Sequence, residues 1–297
     1  MGHKELSVVI ICYNMGHLIS TALNSLRNQS KKNFEVIIVD NHSEDNTDEI
    51  VKLYPDLDIH MYKIFNNGIL SISRNYGMEK ASCEWVAFLD ADDCWEKRKV
   101  ESVINAISIV GRDVVAISHP SKEVDLNSKK ERIIGVGITD GNIRKRLILE
   151  NNYFALSGMT IRKSAAIEIG GFSVDSSLRT VEDYDMWIRL ASLGHFYCIN
   201  ECLAKNILHE GNYSKHADVQ MKAFDYLKHK YIDKNDTFTK EEKQHAFKKA
   251  EWEQARILQK NGFFSESKQC IQQYKSSYGL NLKIVALIIL CFFRIKK

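Results

Sequence analysis

The chain has 297 residues, 44% of them apolar and 27% charged, with a net charge of +3. That composition supports a buried core and excludes wholesale disorder, and so small a net charge lacks the electrostatic footprint of a nucleic-acid binder. The charge is unevenly placed: residues 1–215 carry 25 Lys/Arg against 29 Asp/Glu, and residues 216–297 carry 16 against 9.

Leu6–Cys12 is a short, β-branched apolar run of the kind that forms a buried parallel strand. Ile19–Gln29 places Ile19, Ala22, Leu23 and Leu26 at helical spacing. Phe34–Val39 reads as a second buried strand ending at Asp40, Asp45–Tyr54 as a helix closed by Pro55, and Ile59–Phe65 as a third strand. Ser71–Ala81 is helical, and Trp85–Leu89 is a fourth strand ending at Asp90. Alternating strands and helices imply a doubly wound, mostly parallel sheet, whose ligands sit at the carboxyl ends of the strands. Asp40 and Asp90 both stand there.

Further on, Lys97–Val110 reads as a helix, and residues 113–140 as strands joined by a polar loop over Lys122–Arg132. Asn142–Glu150, Arg162–Ile169 and Val181–Leu193 follow as helices, the last two stopped by Gly170-Gly171 and by Gly194. Beyond about 216 the pattern is helical, with basic amphipathic segments near 217–232, 240–260 and 265–278. The expected organisation is an α/β domain over 1–215, a helical accessory region over 216–279 and a basic, apolar tail over 280–297. In that tail Ile284–Phe293 is apolar throughout and flanked by Lys283, Arg294, Lys296 and Lys297. A spanning helix needs about 20 residues, so the segment suits an interfacial helix anchored by cations. The alternative is a terminal helix buried in the protein's own fold.

The seven cysteines, Cys12, Cys83, Cys94, Cys198, Cys202, Cys270 and Cys291, are scattered. No Cys-x-x-Cys pair occurs, and Cys198 and Cys202 have no second Cys/His pair to complete a zinc site. Such thiols fit a reduced, cytoplasmic setting. The polar start, Met1–Leu6, has no signal-peptide layout.

Three segments carry chemistry. Leu89-Asp90-Ala91-Asp92-Asp93 crowds three carboxylates after a strand. Like charges so close repel unless a cation sits among them, and an oxygen-only ligand set favours Mg²⁺ or Mn²⁺. A solvated acidic loop is the plainer reading of the same residues. Asp40-Asn41-His42-Ser43-Glu44-Asp45-Asn46-Thr47 offers polar groups able to read a base and ribose, although Ser43 or Asp45 could simply cap the next helix. Asn66-Asn67-Gly68-Ile69-Leu70-Ser71-Ile72-Ser73-Arg74-Asn75 combines a glycine turn with a guanidinium suited to phosphate or base oxygens.

Taken in order, SVVIICYN, FEVIIVDNHSEDNT, NNGILSISRN and WVAFLDADD resemble the family 2 glycosyltransferases and their GT-A nucleotide-sugar domain. Gly170-Gly171-Phe172, Glu182-Asp183-Tyr184-Asp185-Met186-Trp187-Ile188-Arg189 and His209-Glu210-Gly211-Asn212-Tyr213-Ser214 extend the likeness over about residues 5–215. The resemblance implies a metal-dependent, inverting transfer of a sugar from a nucleotide diphosphate sugar, a uridine diphosphate donor above all, to an acceptor hydroxyl. It implies that Tyr13 and Asp40 hold the pyrimidine base and that Arg74 helps there or at the diphosphate. Asp90 would contact the ribose or sugar, Asp92 would bind Mn²⁺ or Mg²⁺, with His209 touching diphosphate or metal, and Asp183 would be the catalytic base. Cys12 and Lys97 stand where the family commonly has proline or, at the first position, a small polar residue; neither has a chemical role.

Asp183 opens a helix, whose dipole should favour the charged carboxylate; taken alone it would be a helix-start residue and nothing more. Trp187 reads as core rather than as a sugar-stacking ring. With the basic tail, the expected acceptor is a glycan or lipid-linked glycan in cell-surface polysaccharide synthesis, and the expected location is peripheral, on an anionic inner membrane face. Among rivals, a haloacid-dehalogenase phosphatase wants Thr or Val where Cys94 stands. A dinucleotide oxidoreductase wants a Gly-x-Gly-x-x-Gly that Gly135-Val136-Gly137 does not complete. An inactive nucleotide-sugar-binding scaffold is opposed by intact Asp90, Asp92 and Asp183.

Overall fold

The structure, a computed structural model, describes residues 4–126, 129–135, 142–208, 217–233, 235–279 and 282–295. At its centre, β1 (Leu6–Cys12), β2 (Phe34–Asp40) and β4 (Trp85–Phe88) are mostly apolar, with Ser7, Glu35 and Asp40 the polar exceptions, and almost every side chain is buried. They are buried because helices cover both faces, the condition under which a parallel strand loses its polar alternation. β1 pairs in parallel with β2 from Leu6↔Phe34 to Cys12↔Asp40, and with β4 on its other side. β3 (Ile59–Lys63) extends the sheet in parallel beyond β2. β6 (Val114–Ser118), β9 (Met159–Arg162) and β10 (His195–Cys198) complete a seven-stranded sheet of order β10-β6-β9-β4-β1-β2-β3, in which only β9 runs antiparallel to its neighbours. The doubly wound, mostly parallel sheet is as the sequence implied.

The helices sit where the apolar spacing put them, with trimmed ends. α1 (Ile19–Arg27) buries Ile19, Ala22, Leu23 and Leu26. α2 (Thr47–Lys52) is shorter than Asp45–Tyr54. Asp45 holds the backbone ahead of the helix, accepting from Gly16 N at 2.9 Å and from Thr47 N at 3.1 Å. Ser43 caps nothing; its backbone N–H donates to Asp40 Oδ2 at 2.9 Å. α3 (Leu70–Lys80) lies against the sheet at Gly77, where a Cβ would meet Val9 Cγ1 at 2.5 Å. That close approach sinks Ser71, Ser73 and Arg74 into the interior.

The polar stretch Lys122–Arg132 is a hairpin rather than a loop. β7 (Ser121–Asp125) pairs antiparallel with β8 (Glu131–Ile134), and Glu123 faces Arg132, which donates to it through Nη2 at 2.9 Å. Cross-strand charge pairs stabilise this hairpin, so apolar alternation gives no sign of it. Together with β5 (Cys94–Trp95) and β11 (Ala204–Leu208), β7 and β8 form a second sheet of order β5-β11-β7-β8. β5, β9, β10 and β11 were not visible in the sequence, because none carries an apolar run of four residues. α4 (Lys99–Ile109), α5 (Ile143–Leu149), α6 (Lys163–Glu168) and α7 (Glu182–Leu190) complete this part of the chain.

The chain forms two compact units. The first comprises residues 1–144, 153–176 and 182–209; the second comprises 145–152, 177–181 and 210–297. Within the second, α8 (Ala217–Ile232), α9 (Lys240–Asn261), α10 (Phe264–Tyr278) and α11 (Leu282–Phe292) follow in sequence. α9 begins at a capping box between Thr239 and Glu242 and ends at Gly262, whose φ of 87° terminates the helix. Lys228 of α8 is buried and donates to Ile148 O at 2.8 Å, satisfying a carbonyl at the end of α5; burial pushes its amine down to about 7. All seven cysteines are free thiols.

Candidate active site

The site lies at the carboxyl ends of β1, β2 and β4, and its centre is the turn after β4. Asp90, Asp92 and Asp93 bring one carboxylate oxygen each within 4.8 Å of one another. Asp93 is buried and fully engaged. Its Oδ2 accepts from Ser157 Oγ at 2.6 Å and from Asn206 Nδ2 at 2.5 Å, and its Oδ1 accepts from Ile207 N at 3.0 Å. Ser157 also accepts from Asp90 N at 3.2 Å, while its carbonyl accepts from Trp95 Nε1 at 2.9 Å. One buried hydroxyl therefore ties both ends of the acidic turn to the segment before β9. Asp93 holds this turn in shape, leaving Asp90 and Asp92 half-buried at the surface of the site.

Electrostatics follow from that crowding. Burial raises the Asp90 carboxyl to about 6, Arg74 opposing the rise and Asp92 and Glu182 adding to it. Burial and the charges of Asp90 and Asp92 push Asp93 well above the usual carboxylate range. Burial is the larger cause of both shifts, and both carboxyls therefore favour their neutral forms. These oxygen donors fit a hard divalent cation, with Asp92 and Asp90 as the residues that would hold it.

Arg74 projects from α3 into the same region. Its Nη1 donates to Glu182 Oε1, its Nη2 lies 3.7 Å from Asp90 Oδ1, and its guanidinium sits 5.6 Å from the centre of the Phe172 ring. Arg74 is only 6% exposed. Burial disfavours its charge, but Glu182, Asp90 and Asp183 outweigh that and raise its pKa further. The sequence pointed to this arginine as a ligand for phosphate or base; in the structure its Nη1 is engaged by Glu182, while its Nε has no hydrogen-bond partner among the described residues.

Asp183 stands in the first turn of α7 beside Glu182, accepting from Tyr184 N at 2.7 Å. Burial raises its carboxyl to about 7, Glu182 adding to the rise and Arg74 opposing it. The helix start was expected to favour the charged form. Desolvation and the adjacent carboxylate override the dipole, which is worth about 1 kcal/mol or less at such a position. The wall behind is set by Gly170-Gly171-Phe172. Asn75 clasps it, accepting from Phe172 N at 2.7 Å and donating to Phe172 O at 2.8 Å. Arg189 donates to Ile169 O at 2.9 Å and Gly171 O at 2.7 Å. Trp187 is fully buried and packs edge-on against Phe172, so it is core.

At β1 and β2, Tyr13 is 52% exposed. Asp40 is fully buried, with Ser43 N on Oδ2 at 2.9 Å, the Ser43 hydroxyl on Oδ1 and the Cys12 thiol donating to Oδ1 at 3.5 Å. Ser43 Oγ also accepts from Asn14 N at 2.8 Å, so Asp40 joins the loop after β2 to the loop after β1. Phe65, 73% exposed, stacks on His42 with ring centres 3.8 Å apart. His209 and its motif through Ser214 lie outside the described residues. The sequence assigned no part to Ser157 or Asn206, and Asn75 closed a quoted segment without a role of its own. Glu182 stood inside a quoted motif, and that was the signal available for it.

The family profile named Glycosyl transferase family 2 matches residues 7–170, which carry every one of these strand-end loops. The chain belongs to glycosyl transferase family 2. An uncharacterised glycosyltransferase of Haemophilus influenzae is 30% identical over 231 residues, 76% of this chain and 77% of that protein. The poly(ribitol-phosphate) β-N-acetylglucosaminyltransferase TarP of Staphylococcus aureus is 28% identical over 185 residues, 61% of this chain and 55% of that one. Among solved structures, S. aureus TarS 1–349 in complex with UDP-GlcNAc superposes with a TM-score of 0.63 at 19% identity, covering 96% of this chain and 84% of that one. At that identity the likeness establishes the fold of this family 2 glycosyltransferase.

Proposed function

We propose that this family 2 glycosyltransferase moves a sugar, with inversion, from a uridine diphosphate sugar to the hydroxyl of a glycan or lipid-linked glycan in cell-surface polysaccharide synthesis. The observation that carries the reading is a chain of charge across one end of the sheet: Asp92 and Asp90 on one side, Asp183 on the other, and the buried Arg74–Glu182 pair between them. That is the arrangement a single displacement needs, with one pole at the leaving diphosphate and one carboxylate at the attacking hydroxyl.

Asp183 would take the proton of the acceptor hydroxyl as its oxygen attacks the anomeric carbon. A base that titrates at about 7 suits transfer near neutral pH. The bond from the anomeric carbon to the diphosphate breaks, the electron pair leaves with the diphosphate, and an α-linked donor gives a β product. Mn²⁺ or Mg²⁺ held by Asp92 and flanked by Asp90, which would also contact the donor's ribose or sugar, would supply Lewis-acid neutralisation of the charge growing on that leaving group; His209 is proposed to touch the same diphosphate or metal. Tyr13 would lie along the base. A contact between the base and Asp40 would require the Ser43 hydroxyl to give up Oδ1. Arg74 would act on the donor through Asp90, whose carboxylate it faces. TarP's poly(ribitol-phosphate) acceptor and the UDP-GlcNAc bound to TarS are what favour a surface polymer and a uridine nucleotide. The basic second unit favours an enzyme at the inner face of a membrane. Among the described residues, no helix is long and apolar enough to cross one.

Calorimetric titration of uridine diphosphate, with and without Mn²⁺, into the wild type and Asp92→Ala tests the reading. Metal-dependent binding that the variant loses supports it. Binding that ignores both the metal and the substitution would remove Asp92 from the donor site.

A further inference from the structure

α11 has two apolar faces, and the fold covers one. Ile284, Leu287 and Cys291 are buried in a cluster with Ala255, Ile271 and Tyr274. Val285, Ile288, Ile289 and Phe292, spaced as one stripe along the other side, stand exposed, Phe292 at 71%, and Phe293 follows at 65%. Cations border that stripe. Lys283 opens the helix and Arg294 follows it, both exposed, while Lys268 Nζ lies 5.8 Å from the centre of the Phe292 ring. From Ser267 to Lys297 the sequence contains six Lys/Arg and no Asp or Glu.

The same helical unit contains a groove of about 860 Å³. Lys248, Lys249, Lys283 and His245 line it beside Trp252, and Glu253 is its one acidic lining residue. Lys248 Nζ lies 5.9 Å from the Tyr274 ring, and Lys249 pairs with Glu150 at 3.8 Å. Lys283 belongs both to the groove and to the first turn of α11, so the cationic groove and the bare stripe meet at one residue.

Resting on the reading of a membrane-face enzyme, we propose that this unit docks on an anionic bilayer, the outer stripe of α11 entering the interface and the groove taking a lipid headgroup phosphate. An α-helix of this length runs about 16 Å, too short to span but suited to lie in the interfacial plane. Charge argues against a second copy of the chain as the occupant, because self-pairing would set this acid-free, cationic segment against itself. A phosphate surface supplies the opposite charge and an apolar layer beneath it, which the stripe and its border match together.

The full-length protein is sedimented with vesicles of phosphatidylcholine, or of phosphatidylcholine containing phosphatidylglycerol. Wild type should partition at least tenfold better onto the anionic vesicles. Ile289→Glu with Phe292→Glu should reduce that to background. Lys248→Ala, Lys249→Ala and Lys283→Ala together should cost about fivefold per lysine. These side chains are outside the core, so circular dichroism and uridine diphosphate binding by the first unit should be unchanged. Equal partitioning onto both vesicles, no partitioning, or an unaffected triple-lysine variant would each overturn the proposal. So would a dimer in sedimentation velocity that the Ile289→Glu/Phe292→Glu variant dissolves. Vesicle binding without any sugar transfer would refute the transferase reading and leave this one standing; transfer to a soluble acceptor without vesicle binding would do the reverse.

Discussion

Replacing Asp183 with asparagine separates catalysis from stability in one experiment. The substitution keeps an oxygen to accept from Tyr184 N, so the local backbone is preserved. It removes the proposed base, and positioned general bases contribute about 10²- to 10⁴-fold, or roughly 3 to 5 kcal/mol of barrier. The folded carboxyl titrates at about 7 against an ordinary 3.8, so the fold prefers its neutral form. The sign follows. The penalty on the ionised form is absent below the ordinary carboxylate range, grows as pH rises, and is complete above about 7. Three pKa units correspond to a ceiling of about 4 kcal/mol. The Asp183→Asn side chain is neutral at every pH, so the variant should be more stable than wild type at pH 8 by up to about 4 kcal/mol and by almost nothing at pH 4. Urea unfolding at both pH values, beside steady-state release of uridine diphosphate, reads the two effects. In the wild type kcat/KM should fall about tenfold per unit as pH drops below the Asp183 pKa. Activity of Asp183→Asn within tenfold of wild type, or a stability change of equal size at both pH values, would refute the reasoning.

Ser157→Ala removes the hydroxyl that accepts from Asp90 N and donates to Asp93; we expect about 1 to 3 kcal/mol of lost stability and weaker metal-dependent nucleotide binding, measured by denaturation and calorimetry. Unchanged binding would show that the acidic turn holds its shape without this link. Gly171→Ala puts a Cβ 2.5 Å from Asn75 Oδ1 at a φ of 72°, so it should cost about 2 kcal/mol or more and lower kcat by loosening the Phe172 wall. A thermal midpoint equal to wild type would contradict it.

What the sequence made legible was where the central strands end and which polar residues stand there. β1, β2 and β4 are mostly apolar on both faces, interrupted at Ser7 and Glu35, and the residue that ends each run marks the edge of the sheet. Asp40 and Asp90 were found that way, and the turn at Asp92 with them. The second sheet was not legible, because its strands are short and its hairpin is held by charges such as Glu123 and Arg132. Nor were the residues that hold the acidic turn in place. Ser157 and Asn206 lie 64 and 113 residues from Asp93, and nothing local marks either as its partner. Lys99 reads as an ordinary helix-start cation, yet it is fully buried, 2.5 Å from His119 Nε2 and 5.1 Å from the Trp95 ring. Spacing reports which face a residue takes; it does not report which distant side chain meets it there.

The same charges make a final demand on donor binding. Among the described residues, the charges of Glu182, Asp90 and Asp183 act on the Arg74 guanidinium, and Asp92 adds its charge at Asp90. Protons on Asp90 and Asp183 relieve part of the excess, but above pH 7 the site is negative where, on the proposed reading, the donor's diphosphate would enter. Repulsion of this kind is screened by salt, with a Debye length of about 10 Å at 0.1 M. Without divalent cation, uridine diphosphate should therefore bind weakly at pH 8 and more tightly as sodium chloride rises from about 10 to 150 mM. With Mn²⁺ present the dependence should flatten or reverse, because the ion supplies the missing positive charge. Most anion sites show the opposite trend, being cationic and weakened by salt. If metal-free binding at pH 8 weakens steadily with salt, positive groups dominate the donor site, and the carboxylates of the acidic turn are not what the diphosphate meets.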